Sequence, residues 1–291
     1  MGVYSIKDLE RISGVKAHTI RIWERRYNIV EPARTKTNIR KYSDRDLKRL
    51  LNVSILNNNG YKISHIAYLS DEDLGKRLAY LCLDTKKVDI QVESLMVAML
   101  ELDEVKFNSV LNQSIIKRGF EKTVEEVLFP FLDRVGILWQ AGSVNPAQEH
   151  FMSNLIRQKL IVAIDNQMEN QKVDKRITFF LDEGELHEIG LLFYSFLARK
   201  EGYKVIYLGS NVPFEDIKGI DQVRKADAFF TCFVSPPENS LDKILKAYSE
   251  EFPNTPIFIN GMQVKEYEGD LPDNVMHISS AEVFVEVLRK M

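Results

Sequence analysis

The chain has 291 residues, of which 45% are hydrophobic and 28% are charged, as is typical of soluble globular proteins. Its length predicts two or three domains, and its only two cysteines, Cys82 and Cys232, argue against a disulfide scaffold or a cysteine-built metal site. No apolar run approaches the roughly 20 residues that cross a bilayer, and the N-terminus lacks a secretory signal, so we expect a cytoplasmic protein with no membrane partner.

The charge is unevenly distributed along the chain. Residues 1–70 hold 14 basic and 6 acidic side chains, a net charge of +8, whereas the remainder holds 25 basic and 36 acidic ones, a net charge of −11. A basic head on an acidic body predicts that the head, and not the body, meets a polyanion.

The basic head has the pattern of a winged helix-turn-helix. Ser5 and Asp8 form a capping-box pattern at the start of a short helix, and Gly14 ends it. The next stretch resumes a helical period with Val15, Ile20 and Trp23 apolar. A basic, turn-rich segment follows and suits a wing that grips phosphates. The alternative is a solvated charged face on an ordinary helical domain.

The stretch "TIRIWERRYNIVEPARTKTNIRKYS" resembles the DNA-binding domain of the MerR family of bacterial transcription regulators, in its light-responsive, CarH-like branch. The shared pattern is R-x-W-E-R-R-Y, then P-x-R and R-x-Y. That branch commonly has a Gly-Gly pair in the wing, where this chain has Thr37 and Asn38. The resemblance implies binding to double-stranded operator DNA through six residues of the recognition helix and wing, namely Arg21, Arg25, Arg26, Arg34, Arg40 and Tyr42.

The middle of the chain is predicted to be a helical bundle. We place the helix-turn-helix domain at residues 1–72, a linker at 73–88 and a four-helix bundle at 89–170, because four amphipathic stretches follow one another with short joints. Nine residues lie between Trp139 and the pair Glu149 and His150. This W-x9-E-H spacing resembles the helical cap over cobalamin in CarH-like regulators, which have a histidine where this chain has Gln140.

Residues 175–291 alternate short apolar runs with helical stretches. This alternation predicts a flavodoxin-like (Rossmann-like) parallel sheet with helices on both faces. Ligands of such sheets bind at the carboxyl ends of the strands. The segment "ELHEIG" at 185–190 follows the first predicted strand, which places His187 at that edge.

Three features in order resemble the cobalamin-binding domain shared by methionine synthase, methylmalonyl-CoA mutase and CarH-like regulators. The family pattern is D/E-x-H-x-x-G, then S-x-L, then Gly-Gly. Here the first element is intact, threonine replaces serine in the second, and asparagine replaces the first glycine of the third. The matching residues are Glu185, His187, Gly190, Thr231, Asn260 and Gly261.

The residue types suit cobalt chemistry. A neutral imidazole is a suitable ligand for the lower face of cobalt, and a carboxylate two residues away can accept the other ring N–H and fix the tautomer. The resemblance therefore implies that His187 binds the cobalt of adenosylcobalamin, or alternatively methylcobalamin, and that Glu185 supports it.

Taken with the basic head, these motifs favour a repressor and not an enzyme. The family mechanism implies a dimer or tetramer that forms with adenosylcobalamin, holds operator DNA and releases it in light. Two alternatives remain open: a regulator that acts through protein partners without cobalamin, favoured by Gln140, Thr231 and Asn260, and a corrinoid methyl carrier or enzyme subunit, which would have no use for the basic head.

Overall fold

The computed structural model describes residues 3–35, 38–84, 88–140, 145–167, 172–237 and 239–291, with the backbone alone at Val3, Arg11, 78–84 and 137–140. The chain packs as two compact units, Met1–Leu155 and Ile156–Met291. No helix in these described ranges is long and apolar enough to cross a membrane.

The first unit begins with the predicted helix-turn-helix. After strand β1 (Val3–Tyr4), helix α1 (Ile6–Ser13) and helix α2 (Ala17–Tyr27) follow. The capping box is present, because the Ser5 side chain accepts from the Asp8 N–H and the Asp8 carboxylate accepts from the Ser5 N–H. Gly14 ends α1 with φ at 70°, a left-handed conformation that glycine adopts without strain.

The wing is a small antiparallel sheet. Strands β2 (Ala33–Arg34) and β3 (Arg40–Ser43) pair with each other, and β1 pairs with the other edge of β3. Thr37 lies outside the described residues, and Asn38 has φ at 63°, which asparagine tolerates better than most residues. The predicted winged helix-turn-helix is therefore confirmed.

Most of the segment predicted as a linker, 73–88, is helical. Helix α3 (Asp44–Asn58) and helix α4 (Ile63–Ile66) are followed by helix α5 (Asp71–Asp84), and residues 85–87 lie outside the described part. The physical reason is an N-cap: the Asp73 N–H donates to the Ser70 hydroxyl at 3.0 Å, and acidic residues fill the first turn, where they favour a helix.

A helical bundle follows, as predicted. Its four long helical segments are α6 (Val88–Glu101), α7 (Glu104–Arg118), a composite of α8 (Phe120–Thr123) with α9 (Phe129–Gln140), and α10 (Pro146–Asp165). A π-helical turn, Val124–Leu128, joins α8 to α9. Pro130 lies just beyond this turn, and because proline lacks an N–H and crowds the preceding turn, it disturbs regular α-helical pairing there.

The second unit carries a five-stranded parallel sheet in the order β5-β4-β6-β7-β8. The first strand in sequence is second in space, so the predicted flavodoxin-like order is confirmed. The strands are β4 (Arg176–Asp182), β5 (Lys204–Val212), β6 (Ala228–Cys232), β7 (Ile257–Asn260) and β8 (Val275–His277), and the helices are α11 (Ile189–Lys200), α12 (Phe214–Val223), α13 (Leu241–Glu251), α14 (Met262–Lys265) and α15 (Ala281–Lys290).

Aromatic side chains fill both faces of this sheet. On one face, Tyr194 of α11 stacks on Phe230 with ring centroids 4.6 Å apart, and Phe284 of α15 meets both rings edge-on. On the other face, Phe180 and Phe229 belong to a buried cluster that includes residues of α12 and α13. This rigid core fixes the strand ends from which the candidate ligand loops project.

Candidate cofactor and DNA sites

His187 is held by a buried carboxylate. Its Nδ1 atom lies 2.6 Å from Oε1 of Glu185, which also accepts the backbone N–H groups of Leu186 at 2.9 Å and His187 at 3.0 Å. Oε2 of Glu185 accepts from the N–H groups of Val234 and Ser235, both at 2.8 Å. One carboxylate therefore ties the loop after β4 to the loop after β6, at the point where the strand order reverses.

The contacts of Glu185 settle its charge and the imidazole tautomer. Burial raises the pKa of Glu185, but hydrogen bonds from the His187 ring and from the N–H groups of His187, Ser235 and Val234 outweigh it and lower the pKa to about 2. An ionised carboxylate only accepts hydrogen bonds. Nδ1 of His187 is thus a protonated nitrogen, so the neutral form of this imidazole has its lone pair on Nε2, on a side chain that is 60% exposed.

Residues of β6 and α11 meet beside this loop. A Cβ at Gly190 would lie 3.6 Å from Sγ of Cys232, so α11 begins in close contact with the end of β6. Thr231 is completely buried, and its hydroxyl has no hydrogen-bond partner among the described residues. A buried polar atom without a partner is costly, and a polar group of a bound ligand would satisfy it.

The end of β7 explains one glycine and one departure from the family pattern. Gly261 has φ at 117°, and a Cβ there would lie 2.2 Å from the carbonyl oxygen of Phe233, so no other residue fits. The Asn260 amide donates to the carbonyl oxygen of Ile278 at 2.5 Å and approaches the Tyr194 hydroxyl at 3.3 Å. The side chain of Asn260, which the family's glycine lacks, therefore has hydrogen-bond partners within the domain.

An ion pair next to His187 was not predicted from the sequence. Arg157 of α10 lies 2.5 Å from Oε1 of Glu188, and the Tyr207 hydroxyl donates to Oε2 of Glu188 at 3.4 Å. Burial and the Glu188 carboxylate raise the pKa of Tyr207. The part of α10 that belongs to the second unit, from Ile156 onward, thus contacts the loop that carries the candidate cobalt ligand.

The residues predicted for the helical cap lie at the C-terminal end of α9 and near the N-terminal end of α10. Nδ1 of His150 is 2.8 Å from Oε2 of Glu149, and the His150 side chain is 71% exposed. The side chains of Trp139 and Gln140 lie outside the described part of the chain. The carboxylate–imidazole pair is therefore formed at the start of α10.

The predicted DNA contacts divide into two groups. Arg21, Arg25 and Arg26 of α2 are exposed, and so is Arg34 of the wing, whose Nη1 donates to the Asn38 side chain at 2.7 Å. These four guanidinium groups are accessible to a phosphate backbone or a base edge.

Arg40 and Tyr42 lie in strand β3 of the wing, as predicted, and both bond to Glu24 of α2. Nε of Arg40 donates to the Glu24 carboxylate at 3.0 and 3.1 Å, and the Tyr42 hydroxyl donates to the same carboxylate at 3.3 Å. Tyr42 is only 1% exposed, because its ring is in the core of the head. Burial and the neighbouring Glu24 carboxylate raise its pKa to about 12, so it stays neutral. Direct DNA contact by Tyr42 is therefore corrected to a supporting position between wing and α2.

Two regions of the chain match known protein families. Residues 4–72 match the model of the MerR HTH family regulatory proteins, and residues 91–163 match the model of the B12 binding domain. The chain joins a MerR-type helix-turn-helix to a B12-binding domain. The predicted resemblance is confirmed for these two regions, and the second match covers the helical bundle.

Two curated relatives extend over almost the whole chain. The HTH-type transcriptional repressor CarH of Myxococcus xanthus is 26% identical over 287 residues, covering 96% of this chain and 95% of the relative. The repressor CarA of the same organism is 25% identical over 275 residues, covering 90% and 88%. The chain is homologous to both, and their description as repressors agrees with the prediction that it is not an enzyme.

The fold of the chain also has a solved counterpart. The Methanosarcina barkeri monomethylamine corrinoid protein aligns with a TM-score of 0.51 at 17% identity, covering 70% of this chain and all of that one. At this identity the likeness concerns the fold alone, and it agrees with the predicted combination of helices and a parallel sheet.

Proposed function

We infer that the protein is a cobalamin-dependent, DNA-binding transcription regulator, and we propose that it is a light-responsive repressor. The observation that carries this is the pair of His187 and Glu185. A solvent-accessible imidazole has its tautomer fixed by a buried, ionised carboxylate, at the edge of the sheet where ligands of this fold bind.

The residues at this edge fit a corrinoid. We propose that Nε2 of His187 coordinates cobalt and that Glu185 strengthens the bond by accepting the Nδ1–H. The buried Thr231 hydroxyl, the start of α11 at Gly190 and the tight turn at Asn260 and Gly261 would receive the polar periphery of the ligand.

The upper side of the cofactor is assigned by resemblance. We propose that Trp139, Glu149 and His150 contact the upper axial ligand, and that this ligand is adenosyl rather than methyl. When bound, adenosylcobalamin supplies a cobalt–carbon bond that light can break. Trp139 would report the size of the upper ligand to α9, while the Glu149 carboxylate orients the His150 ring.

We further propose that the regulator acts as a dimer or tetramer. Several heads held together gain affinity for neighbouring operator sites by orders of magnitude without new contacts. Loss of the oligomer would therefore release DNA. Arg21, Arg25, Arg26 and Arg34 would contact DNA, while Arg40 and Tyr42 hold the wing against α2.

The experiment that tests the cofactor assignment compares His187→Ala with His65→Ala, which removes an exposed histidine of the head. Each protein is mixed with adenosylcobalamin in the dark and passed through a gel-filtration column. We expect the wild-type and His65→Ala proteins to retain cobalamin with an absorption spectrum typical of histidine coordination, and His187→Ala to lose it. If His187→Ala retains cobalamin with the wild-type spectrum, the ligand assignment fails.

A further inference from the structure

A guanidinium group of the bundle reaches into the DNA-binding head. Nη2 of Arg134, on α9, donates to the carbonyl oxygen of Ile12 in the last turn of α1, across 122 positions of sequence. Its Nη1 lies 4.0 Å from Oε1 of Glu93, on α6. The Arg134 and Glu93 side chains are only 25% and 12% exposed, so this bridge is largely shielded from solvent.

The position of this cation is electrostatically favourable for the head. The last carbonyl groups of a helix lack intrahelical partners and carry the negative end of the helix dipole. At the end of α1, the Gly14 N–H is paired with the Glu10 carbonyl, and Arg134 supplies the donor for Ile12. The terminus of α1 therefore gains a partner from a different domain.

A second polar contact fastens the head through another helix. Lys48 of α3 donates to Oε1 of Glu101, at the end of α6, and Oε2 of Glu101 accepts from Lys106 of α7 at 3.1 Å. The two contacts engage α1 and α3. Helix α2 keeps its three arginines exposed, so the fastening leaves the proposed DNA-binding face accessible.

We propose that Arg134 is a positioning residue that fixes the direction in which the bundle presents α2, with the Lys48–Glu101 pair as a second anchor. The proposal rests on the proposed function, because it supposes that oligomeric heads bind DNA. Two heads whose orientations are fixed can bind two half-sites together only when the distance between the half-sites places both on the matching face of the DNA helix. Helix α9 also includes Trp139, so the same helix carries the proposed cofactor contact and the contact to the head.

The experiment measures how strictly the spacing of half-sites is read. The probe is a duplex that the full-length wild-type protein, loaded with adenosylcobalamin in the dark, selects from a random-sequence pool. Binding is compared with a duplex in which the two half-sites are moved apart by about five base pairs, half a helical turn. The variants are Arg134→Met, which keeps an unbranched apolar stem, and Arg134→Lys, which keeps the charge. The control is Arg118→Met, because Arg118 donates to Gln91 and Glu126 within the bundle.

We expect the altered spacing to weaken the wild-type and Arg118→Met proteins by about tenfold or more, and Arg134→Met by less than about threefold. Arg134→Lys should lie between them, and both Arg134 variants should retain cobalamin and the same half-site sequence. A general loss of stability would weaken both duplexes together and would leave the ratio unchanged.

Wild-type spacing dependence in Arg134→Met would overturn the proposal. If Arg134→Met does not fold, the same measurement is made on Lys48→Met, at the less buried anchor. We expect this variant to tolerate the altered spacing, and a spacing dependence equal to that of wild type would contradict the proposal. If the wild-type protein selects no duplex at all, the proposed function fails first, and the positioning role fails with it.

Discussion

Oε2 of Glu185 accepts hydrogen bonds from the N–H groups of Val234 and Ser235, 49 and 50 residues away, while Oε1 lies 2.6 Å from Nδ1 of His187. The same side chain thus joins two strand ends and orients an imidazole. Because all of these partners donate to it, the carboxylate must be charged for the loop to keep its shape.

We expect Glu185→Gln to weaken cobalamin binding by about 10- to 100-fold. The amide nitrogen of glutamine is a hydrogen-bond donor. It would face backbone N–H groups, which are donors too, so no hydrogen bond could form between them. The measurement is a titration of the protein with adenosylcobalamin in the dark, followed by absorbance. The matched control is Glu183→Gln, an exposed residue of the same loop, which should bind like wild type. Equal affinities for the two variants would contradict the role given to Glu185.

Glu93 should make the first unit less stable as the pH rises. Burial raises the pKa of Glu93 to about 7, against the opposing effect of Arg134 and with a contribution from Asp89. A folded pKa above the ordinary value of 4.5 means that the stabilising contribution is complete below about pH 4.5 and is lost as the pH rises through about 7.

From pH 5 to pH 8, the wild-type unfolding free energy should therefore fall by about 3 kcal/mol more than that of Glu93→Gln, whose amide does not titrate. Glu104→Gln, at an exposed site, should retain the wild-type pH dependence. Urea unfolding followed by circular dichroism at several pH values measures this. Parallel pH profiles for wild type and Glu93→Gln would show that burial does not hold a proton on Glu93.

The structure reverses the expected sign of one charge substitution in the head. Removal of an acidic residue from a DNA-binding surface ordinarily strengthens binding. Glu24, however, accepts hydrogen bonds from Arg40 and Tyr42 of the wing. We expect Glu24→Gln to weaken binding to the selected duplex by about tenfold, or about 1.4 kcal/mol, whereas Glu31→Gln should bind as well as wild type or better. Tighter binding by Glu24→Gln in an electrophoretic mobility assay would exclude the supporting role.

Arg25 should act as a phosphate contact. In Arg25→Ala, the dependence of log affinity on log salt should become less steep by about 0.9, as expected when one fewer counterion is released. Arg45→Ala removes an exposed arginine of α3 that lies 3.7 Å from Asp71, and it should leave the salt dependence unchanged. Fluorescence anisotropy at several salt concentrations measures both. An unchanged slope in Arg25→Ala would remove Arg25 from the DNA interface.

Local sequence signals predicted most of the fold. The predicted capping box at Ser5 is formed, because a hydroxyl and a carboxylate three residues apart meet only at the start of a helix. The alternation of apolar runs with helical stretches determined the parallel sheet, since parallel strands need a crossover between them. The stretch that forms α5 was predicted to be the end of a helix followed by a linker, because the cap and acidic first turn at its start were not recognised as the beginning of a new helix.

The site was predictable only in part. The spacing of Glu185, His187 and Gly190 marked the loop. The N–H groups that hold Glu185 come from a turn after another strand, which no local pattern connects to it. Arg157 and Arg134 were missed for the same reason, because an arginine on a helix gives no signal of a partner that is distant in sequence. A tyrosine in a basic wing suggested a DNA contact, and only the tertiary packing shows that Tyr42 is buried.

The most direct measurement is the affinity of full-length protein for the selected duplex, in wild type and His187→Ala, with and without adenosylcobalamin, in the dark and after illumination. Wild-type protein should bind at least about tenfold more tightly with the cofactor in the dark than after illumination or without cofactor, a difference of about 1.4 kcal/mol or more. His187→Ala should bind with the same low affinity in every condition. A wild-type affinity that neither cofactor nor light changes would contradict a cobalamin-controlled regulator.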